Sequence, residues 1–333
     1  MDTMQAEAGL RLRSIDDYLG PGPARFFGGG YRRVGYTVTN AANVDHAGSG
    51  ASLQTTAGVS YPADWSKKTA DVYVRPHVST IDTLILGVRA ALFCLGQAYG
   101  LDLRSLHGAS LRRVDIRAGL EPYEDGLDQF PVVASLRGTV PGNEGGRHRS
   151  TLECGVANMK IRCEIEHVLR PAEVGSEPGR LTFAEVNSYG EEFRHQAHAI
   201  ENLSIDAEGL RAGAEITVDG TAPPGPPSFV AYVNSFVVSL QMGQVLLYEL
   251  DGIRRADSNT LWMRRTTMTA DPEVLASAST SGVVAALEEP RLLTAGAERW
   301  RTATIVGDCQ GVLTRCAVAH RLPPGGAEGR DRP

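Results

Sequence analysis

The hydrophobic and polar positions of this chain keep two rhythms, and each rhythm occurs twice. Between Ser79 and Tyr99, Ile81, Leu84, Ile85, Val88, Leu92 and Leu95 recur at three- and four-residue spacing, which predicts one apolar helical face. Ala90, Ala91 and Phe93 widen that face until the helix is apolar almost all round. Phe229, Val233, Phe236, Val237, Leu240 and Leu247 predict a second such helix, running to Leu250. The run Pro223-Pro-Gly-Pro-Pro227 before it cannot be helical, so Ser228 is its natural N-cap.

Around the helices the period falls to two. Strand candidates lie at Tyr36–Thr39 and Ala51–Tyr61, then at Leu111–Ala118, Phe130–Val140 and Thr151–Leu169, with Pro141–Gly146 as a turn. After a Pro171–Pro178 linker the order repeats, with strands at Leu181–Val186, His198–Ile205 and Ala214–Val218, the second helix, and strands at Leu261–Met268 and Trp300–Leu322. Residues 1–30 read as a lead-in, with an amphipathic stretch at Leu10, Leu12, Ile15 and Leu19, and residues 325–333 as a disordered tail. Direct echoes support a duplication: Arg162-Cys163 with His167 returns as Arg315-Cys316 with His320, and Gly96-Gln97 as Gly243-Gln244. The expected repeats are residues 31–172 and 173–324.

One long helix followed by several strands is an α+β pattern, not a βαβ one. A sheet that must bury a nearly all-apolar helix has to wrap around it, which is the hot-dog arrangement. Two copies in one chain predict a double hot-dog, with clefts near the seam between the copies.

Bulk composition narrows the function classes. A length of 333 residues with 42% hydrophobic and 22% charged residues is ordinary for a folded soluble chain. The net charge of -6, with acids and bases interspersed, argues against a nucleic-acid partner. Five cysteines without a CxxC pair or a signal peptide fit a reducing cytoplasm. Arg89 interrupts the first apolar run and Asn234 and Gln241 the second, so neither reaches the roughly 18 apolar residues of a membrane span.

The candidate chemistry lies in Arg75-Pro76-His77-Val78-Ser79-Thr80-Ile81-Asp82, which runs from a loop into the first helix. Free N–H groups at a helix start can receive a carbonyl oxygen, and an imidazole with a carboxylate nearby can move a proton at neutral pH. His77 and Asp82 are the expected acid/base pair, with Ser79 at the helix start and Arg75 orienting a polar acceptor. Ser79-x-x-Asp82 equally fits a structural capping pattern with Asp in place of Glu. Asn234 and Gln241, polar intruders on the second helix, and His198 at a strand start are the expected substrate-binding residues, with Gln244 on the same side of that helix. Cys163 and His167, like Cys316 and His320, stand about 13 Å apart along a strand, too far to hold one metal ion together. No metal or cofactor is expected. Gly28-Gly-Gly30 lacks the Lys-Ser/Thr of a phosphate loop.

Three stretches carry a family resemblance: Leu19-Gly20-Pro21 with Arg25-Phe26-Phe27-Gly28, Tyr61-Pro62-Ala63-Asp64-Trp65-Ser66, and Pro76-His77-Val78-Ser79-Thr80-Ile81-Asp82. Together they resemble the AvrD family of bacterial proteins over most of the chain. That resemblance implies a role in making syringolide-type acyl glycosides, in which a β-ketoacyl thioester is joined to a ketopentose such as xylulose before ring closure to a lactone. More distantly the chain is similar to the AfsA group of butyrolactone-forming enzymes, whose layout is a duplicated hot-dog and whose acceptor is a phosphorylated ketone. His77-x-x-x-x-Asp82 also looks like the helix motif of polyketide dehydratase domains, where an Asp on the helix works with a His of the other hot-dog. Here the second helix offers Ser235 and Ser239 but no Asp, which departs from simple dehydration.

The resulting expectation is an enzyme that takes a β-ketoacyl thioester from an acyl carrier protein or coenzyme A and transfers or condenses it with a small hydroxylated acceptor. A dehydratase or cyclase acting on the same kind of thioester, and a non-catalytic ligand-binding hot-dog, are the alternatives. Acyl length, acceptor identity and whether the chain forms a homodimer stay open.

Overall fold

The computed structural model describes residues 9–39, 44–45, 48–65, 75–142, 146–169, 181–187, 189–220, 229–258, 261–270 and 282–323. In the first half, β1 (Leu10–Ser14) and the short α1 (Asp16–Leu19) precede β2 (Gly35–Thr39) and β3 (Ser52–Ser60). The long α2 (Thr80–Tyr99) and the short α3 (Leu103–His107) follow, then β4 (Ser110–Arg117), β5 (Phe130–Pro141), β6 (Arg147–Val156) and β7 (Met159–Val168). In the second half, α4 (Phe183–Asn187), β8 (Ala197–Asp206) and β9 (Arg211–Asp219) lead to the long α5 (Phe229–Asp251). After it come β10 (Trp262–Ala270), β11 (Gly282–Ala295), β12 (Glu298–Cys309) and β13 (Val312–Arg321).

The thirteen strands among the described residues form one sheet, in the order β1-β8-β9-β11-β12-β13-β10-β4-β7-β6-β5-β3-β2. Counting inward, β2-β3-β5-β6-β7-β4 on one side matches β8-β9-β11-β12-β13-β10 on the other, element for element. The chain is therefore a tandem duplication whose halves meet edge to edge at the antiparallel β4–β10 seam, where Thr267 pairs with Asp115 and its hydroxyl donates to the Asp115 carboxylate at 2.7 Å. β1 is an addition outside this symmetry, pairing antiparallel with β8 of the second half.

Each half wraps its sheet around one long helix: α2 lies on β5 and β6, and α5 on β12 and β11. The most apolar stretches of α2 and α5 are 94% and 89% buried, so their membrane-like composition serves a protein core. Close approach of helix to sheet depends on glycine at two places. A Cβ on Gly87 would lie 2.5 Å from Ile161, and one on Gly243 equally close to Ile305. The fold is a double hot-dog, as the apolar helices and the repeated order required.

Local expectations needed correction. Thr151–Leu169 is two strands, β6 and β7, and Trp300–Leu322 is likewise β12 and β13. The first hairpin turn holds the non-glycine Ala157 in the left-handed region at φ 50° and so carries a weak turn signal, whereas the second is Gln310-Gly311 at φ 53° and 72°. Leu181–Val186 contributes to α4, the stretch at Leu10 is a strand, and β11 had no counterpart in the expectation. The Gly96-Gln97 and Gly243-Gln244 echo is not the structural register of the helices, because Gly96 faces Leu181 and Gly243 faces Ile305. The left-handed glycines that end the helices, Gly100 at φ 62° and Gly252 at φ 61°, give the true register. Counting back equally from each, Asp82 aligns with Asn234 and Arg89 with Gln241. The expected linker at 171–178, the proline run with Ser228 and the tail lie outside the described residues.

Candidate functional site

The start of α2 is closed by a reciprocal capping box. Asp82 donates its backbone N–H to Ser79 Oγ at 3.2 Å, while Asp82 Oδ2 accepts from the Ser79 backbone N–H at 2.7 Å and from Ser79 Oγ at 2.6 Å. A cap usually faces water, whereas Asp82 is fully buried. Two phenols complete its surroundings. Tyr36 of β2 donates to Asp82 Oδ1 at 2.8 Å, and Tyr61, just beyond β3, hydrogen-bonds Oδ2. The Tyr61 hydroxyl also lies 2.6 Å from the His77 carbonyl oxygen, so its single proton is shared between two acceptors.

Burial pushes the Asp82 carboxyl above its ordinary range despite the bonds from Ser79, Tyr61 and Tyr36 that oppose the shift. It pushes both tyrosines well above theirs, with the Asp82 charge adding to the effect. Each half supplies one cation. The Arg194 guanidinium lies 5.3 Å from the Tyr36 ring centre and that of Arg89 6.0 Å. Arg89, itself on α2 and buried, donates to the Tyr189 carbonyl and to Glu191, and Glu191 also binds Arg194. Arg194 in turn donates to the carbonyls of Arg32 and Val34 at 2.8 and 2.7 Å. Side chains of both halves therefore converge on one phenol and one buried carboxylate.

The equivalent position on α5 carries no charge. Asn234 Nδ2 donates to Gln196 Oε1 at 2.8 Å and to Gln310 Oε1 at 3.3 Å. His198 of β8 stands where Tyr36 stands in the first half, and its Nδ1 lies 3.4 Å from the Tyr31 hydroxyl. Burial lowers the His198 pKa to about 4, against a weaker raising effect of a hydrogen bond with Asn234. The Tyr31 ring stacks on Phe193 at 6.1 Å between centroids, tying the two helix starts together.

The expected site residues thus fall into five places. Ser79 and Asp82 meet directly. His77 is half-buried, with Nδ1 3.1 Å from the Arg75 carbonyl and its ring edge-on to Trp65, and its link to Asp82 runs through its own carbonyl and Tyr61. Arg75 is exposed and paired with Glu124 and Asp125 at 2.7 and 2.8 Å. Asn234 and His198 meet at the α5 start, whereas Gln241 accepts from Arg25 Nη1 at 2.6 Å and returns its amide to the Val237 carbonyl. Tyr36, Tyr61, Arg89 and Glu191 escaped the sequence expectation. Arg89, the one basic residue of the apolar α2, was the available signal.

A family model described as Pseudomonas avirulence D protein (AvrD) matches residues 10–323. The chain belongs to the AvrD family. No curated protein matches it. Among solved structures, the tesB protein of Mycobacterium avium subs paratuberculosis is 11% identical, covering 92% of this chain and 98% of that one at a TM-score of 0.40. An acyl-CoA thioesterase II, TesB2, from Mycobacterium marinum is 10% identical over 71% and 91% of the two chains at 0.35. The dehydratase domain from the CurJ module of the curacin polyketide synthase is 10% identical over 87% and 96% at 0.32. These values carry no statement about activity, and the fold of this AvrD-family chain rests on its own strand order.

Proposed function

We propose that this AvrD-family protein is a biosynthetic enzyme that transfers or condenses the acyl chain of a β-ketoacyl thioester with a small ketose-like acceptor. The donor arrives on an acyl carrier protein or coenzyme A, and the product is an acyl glycoside or its ring-closed lactone. The observation that carries the reading is the buried Asp82 at a helix start, wired to two phenols.

In ester transfer the acceptor oxygen bonds to the thioester carbonyl carbon, the C–S bond breaks, and the acceptor proton ends on the departing thiol. Negative charge develops on the carbonyl oxygen during that step, and hydroxyl donors with a helix start are suited to receive it. Tyr36 and Tyr61 would supply the donors. Asp82, whose carboxyl is biased toward holding a proton, would supply or take a proton through either phenol. Arg89 and Arg194 would hold Tyr36 in place and offset the charge. His77 joins this network through its carbonyl, which makes it a positioning residue in this reading. Arg75 and Gln241 have no part in it, since their polar groups are engaged elsewhere.

Mass spectrometry of products from the purified protein, β-ketoacyl thioesters and a panel of ketoses tests the proposal, with Asp82→Asn run in parallel. A sugar-acyl adduct that is lost in the variant is the expected result. Loss of water from a β-hydroxyacyl thioester without any acceptor would instead establish a dehydratase. Unchanged turnover in Asp82→Asn would remove Asp82 from the chemistry.

A further inference from the structure

Along the strands beneath α2 the side chains alternate: Leu136, Leu152, Ile161 and Cys163 are buried toward the helix, and their neighbours face the other side of the sheet. On that outer side β5, β6 and β7 form a solvent-open cleft of about 440 Å³, whose walls carry Arg137, Arg149, Thr151, Glu153, Arg162 and Glu164. A β-bulge makes room for it. The register of β5 against β6 shifts between Leu136 and Gly138, and a Cβ on Gly138 would meet nothing within 4 Å. Tyr99, the last residue of α2, donates to the adjacent Thr139 hydroxyl at 2.8 Å, so the cleft lies over the end of the helix remote from Asp82.

Two of the arginines have carboxylates of their own, Arg137 with Glu153 at 2.8 Å and Arg162 with Glu164 at 3.5 Å, and each keeps guanidinium N–H groups to spare. Arg149 is left over. Its Nη2 lies 3.7 Å from Glu166 Oε2, and Glu166 is already taken: Arg112 binds both of its oxygens, at 3.1 and 2.8 Å, and Arg147 donates to Oε1. Arg149 Nε is buried and has no hydrogen-bond partner among the described residues. An open buried donor is unfavourable, and an oxyanion entering the cleft would close it with a charge-assisted bond. The duplicated sheet shows that this chemistry is not a requirement of the fold. With β7 aligned on β13 through His167 and His320, and β6 on β12 through their partners His148 and Arg301, Arg149 corresponds to Thr302, Glu153 to Val306 and Glu164 to Ala317. Arg162 alone of these keeps its charge, as Arg315 paired with Glu288.

We infer that the outer cleft of the first half is a binding site for a small oxyanion, a carboxylate or a phosphate, with Arg149 as its principal contact and Arg137 and Arg162 beside it. Glu153 and Glu164 limit the ligand to one anionic group, since a second would meet their charge, and they oppose an extended phosphate backbone for the same reason. The sheet separates the cleft from the α2 start. An anion bound there acts as an effector at a distance and does not compete with a thioester, so the site stands whether or not the transfer reading does.

Calorimetric titration of the full chain with inorganic phosphate and with acetate, at an ionic strength held constant with chloride, tests this. At least one of the two oxyanions should bind saturably, and the one that binds identifies the group. Arg149→Gln should weaken binding by about ten-fold or more. Thr151→Glu, which sets a carboxylate in the cleft and leaves Arg149 in place, should do the same, with matched thermal midpoints excluding misfolding. Arg315→Gln, at the position in the second half that corresponds to Arg162, should leave the affinity within about two-fold. So should a saturating β-ketoacyl pantetheine thioester analogue, which carries no phosphate of its own. Failure of both oxyanions to bind, binding that survives both cleft variants, or displacement by the thioester analogue would overturn the inference.

Discussion

The two helix starts have the same ancestry of position and opposite electrostatics. At α2, a buried carboxylate accepts from Ser79, Tyr36 and Tyr61 beneath two arginines. At α5, an amide takes the carboxylate's place, a neutral histidine takes the phenol's, and two glutamines replace the ionic group. The latches two turns deeper are also exchanged. Arg89 of α2 reaches Glu191 of the other half, while Gln241 of α5 receives Arg25 from the other half, which Asp16 also binds. A duplicated fold thereby keeps its packing and varies its charge. A carboxylate biased toward protonation is suited to proton transfer, and an uncharged amide cluster to recognition.

The sharpest way to break the comparison is to exchange the two residues. Asp82→Asn should lower adduct formation by about 10²–10⁴-fold in initial-rate assays, as loss of a general acid/base does. Adding Asn234→Asp should not restore activity, because the phenols and arginines that serve Asp82 are absent from α5. Recovery to within about ten-fold would show the two sites to be interchangeable.

Second in size is the latch between the halves. Glu191→Leu leaves Arg89, whose side chain is 1% exposed, without its carboxylate. The cost should be about 2–3 kcal/mol in urea unfolding, at the low end for a buried pair because Glu191 is 35% exposed. Gln241→Leu should cost less, since Arg25 keeps Asp16.

The acid response should sharpen the contrast further. Burial holds His198 at about 4, and holds His167 at about 4 with the neighbouring His148 adding to the effect. Between that value and the ordinary 6.5 the unfolded chain binds more protons than the fold, so stability rises with pH across this window and falls on acidification. Asp82, raised in the fold, acts with the opposite sign over its own range. Each histidine should add up to about 1.4 kcal/mol per pH unit to the slope, and His198→Gln should remove its share in paired urea titrations at pH 4.5 and 6.5.

The smallest expected effect probes where the halves agree. Gly100→Ala and Gly252→Ala both place a side chain in a left-handed helix end, at φ 62° and 61°. Each should cost about 1 kcal/mol in thermal unfolding, with no change in activity. Unequal costs would mean that the helix ends are not equivalent.

The sequence by itself determined the two apolar helices and the duplication, because burial writes its period directly into hydrophobic spacing. It also marked Asp82, Ser79, Asn234 and His198, since polar residues at the start of a helix or strand stand out against that period. Beyond the local Ser79–Asp82 cap, tertiary structure alone decided what those residues meet. Tyr36 and Tyr61 come from before α2 in sequence, and Arg194 and Glu191 from the other half, so no local pattern records their meeting. The same holds for Arg75, whose neighbours Glu124 and Asp125 draw it to the surface. The alignment of Asp82 with Asn234 likewise emerged from the helix ends and not from the glycine echo. Short-range spacing reports which faces are buried, whereas the partners of a buried polar group are set by contacts between segments distant in sequence.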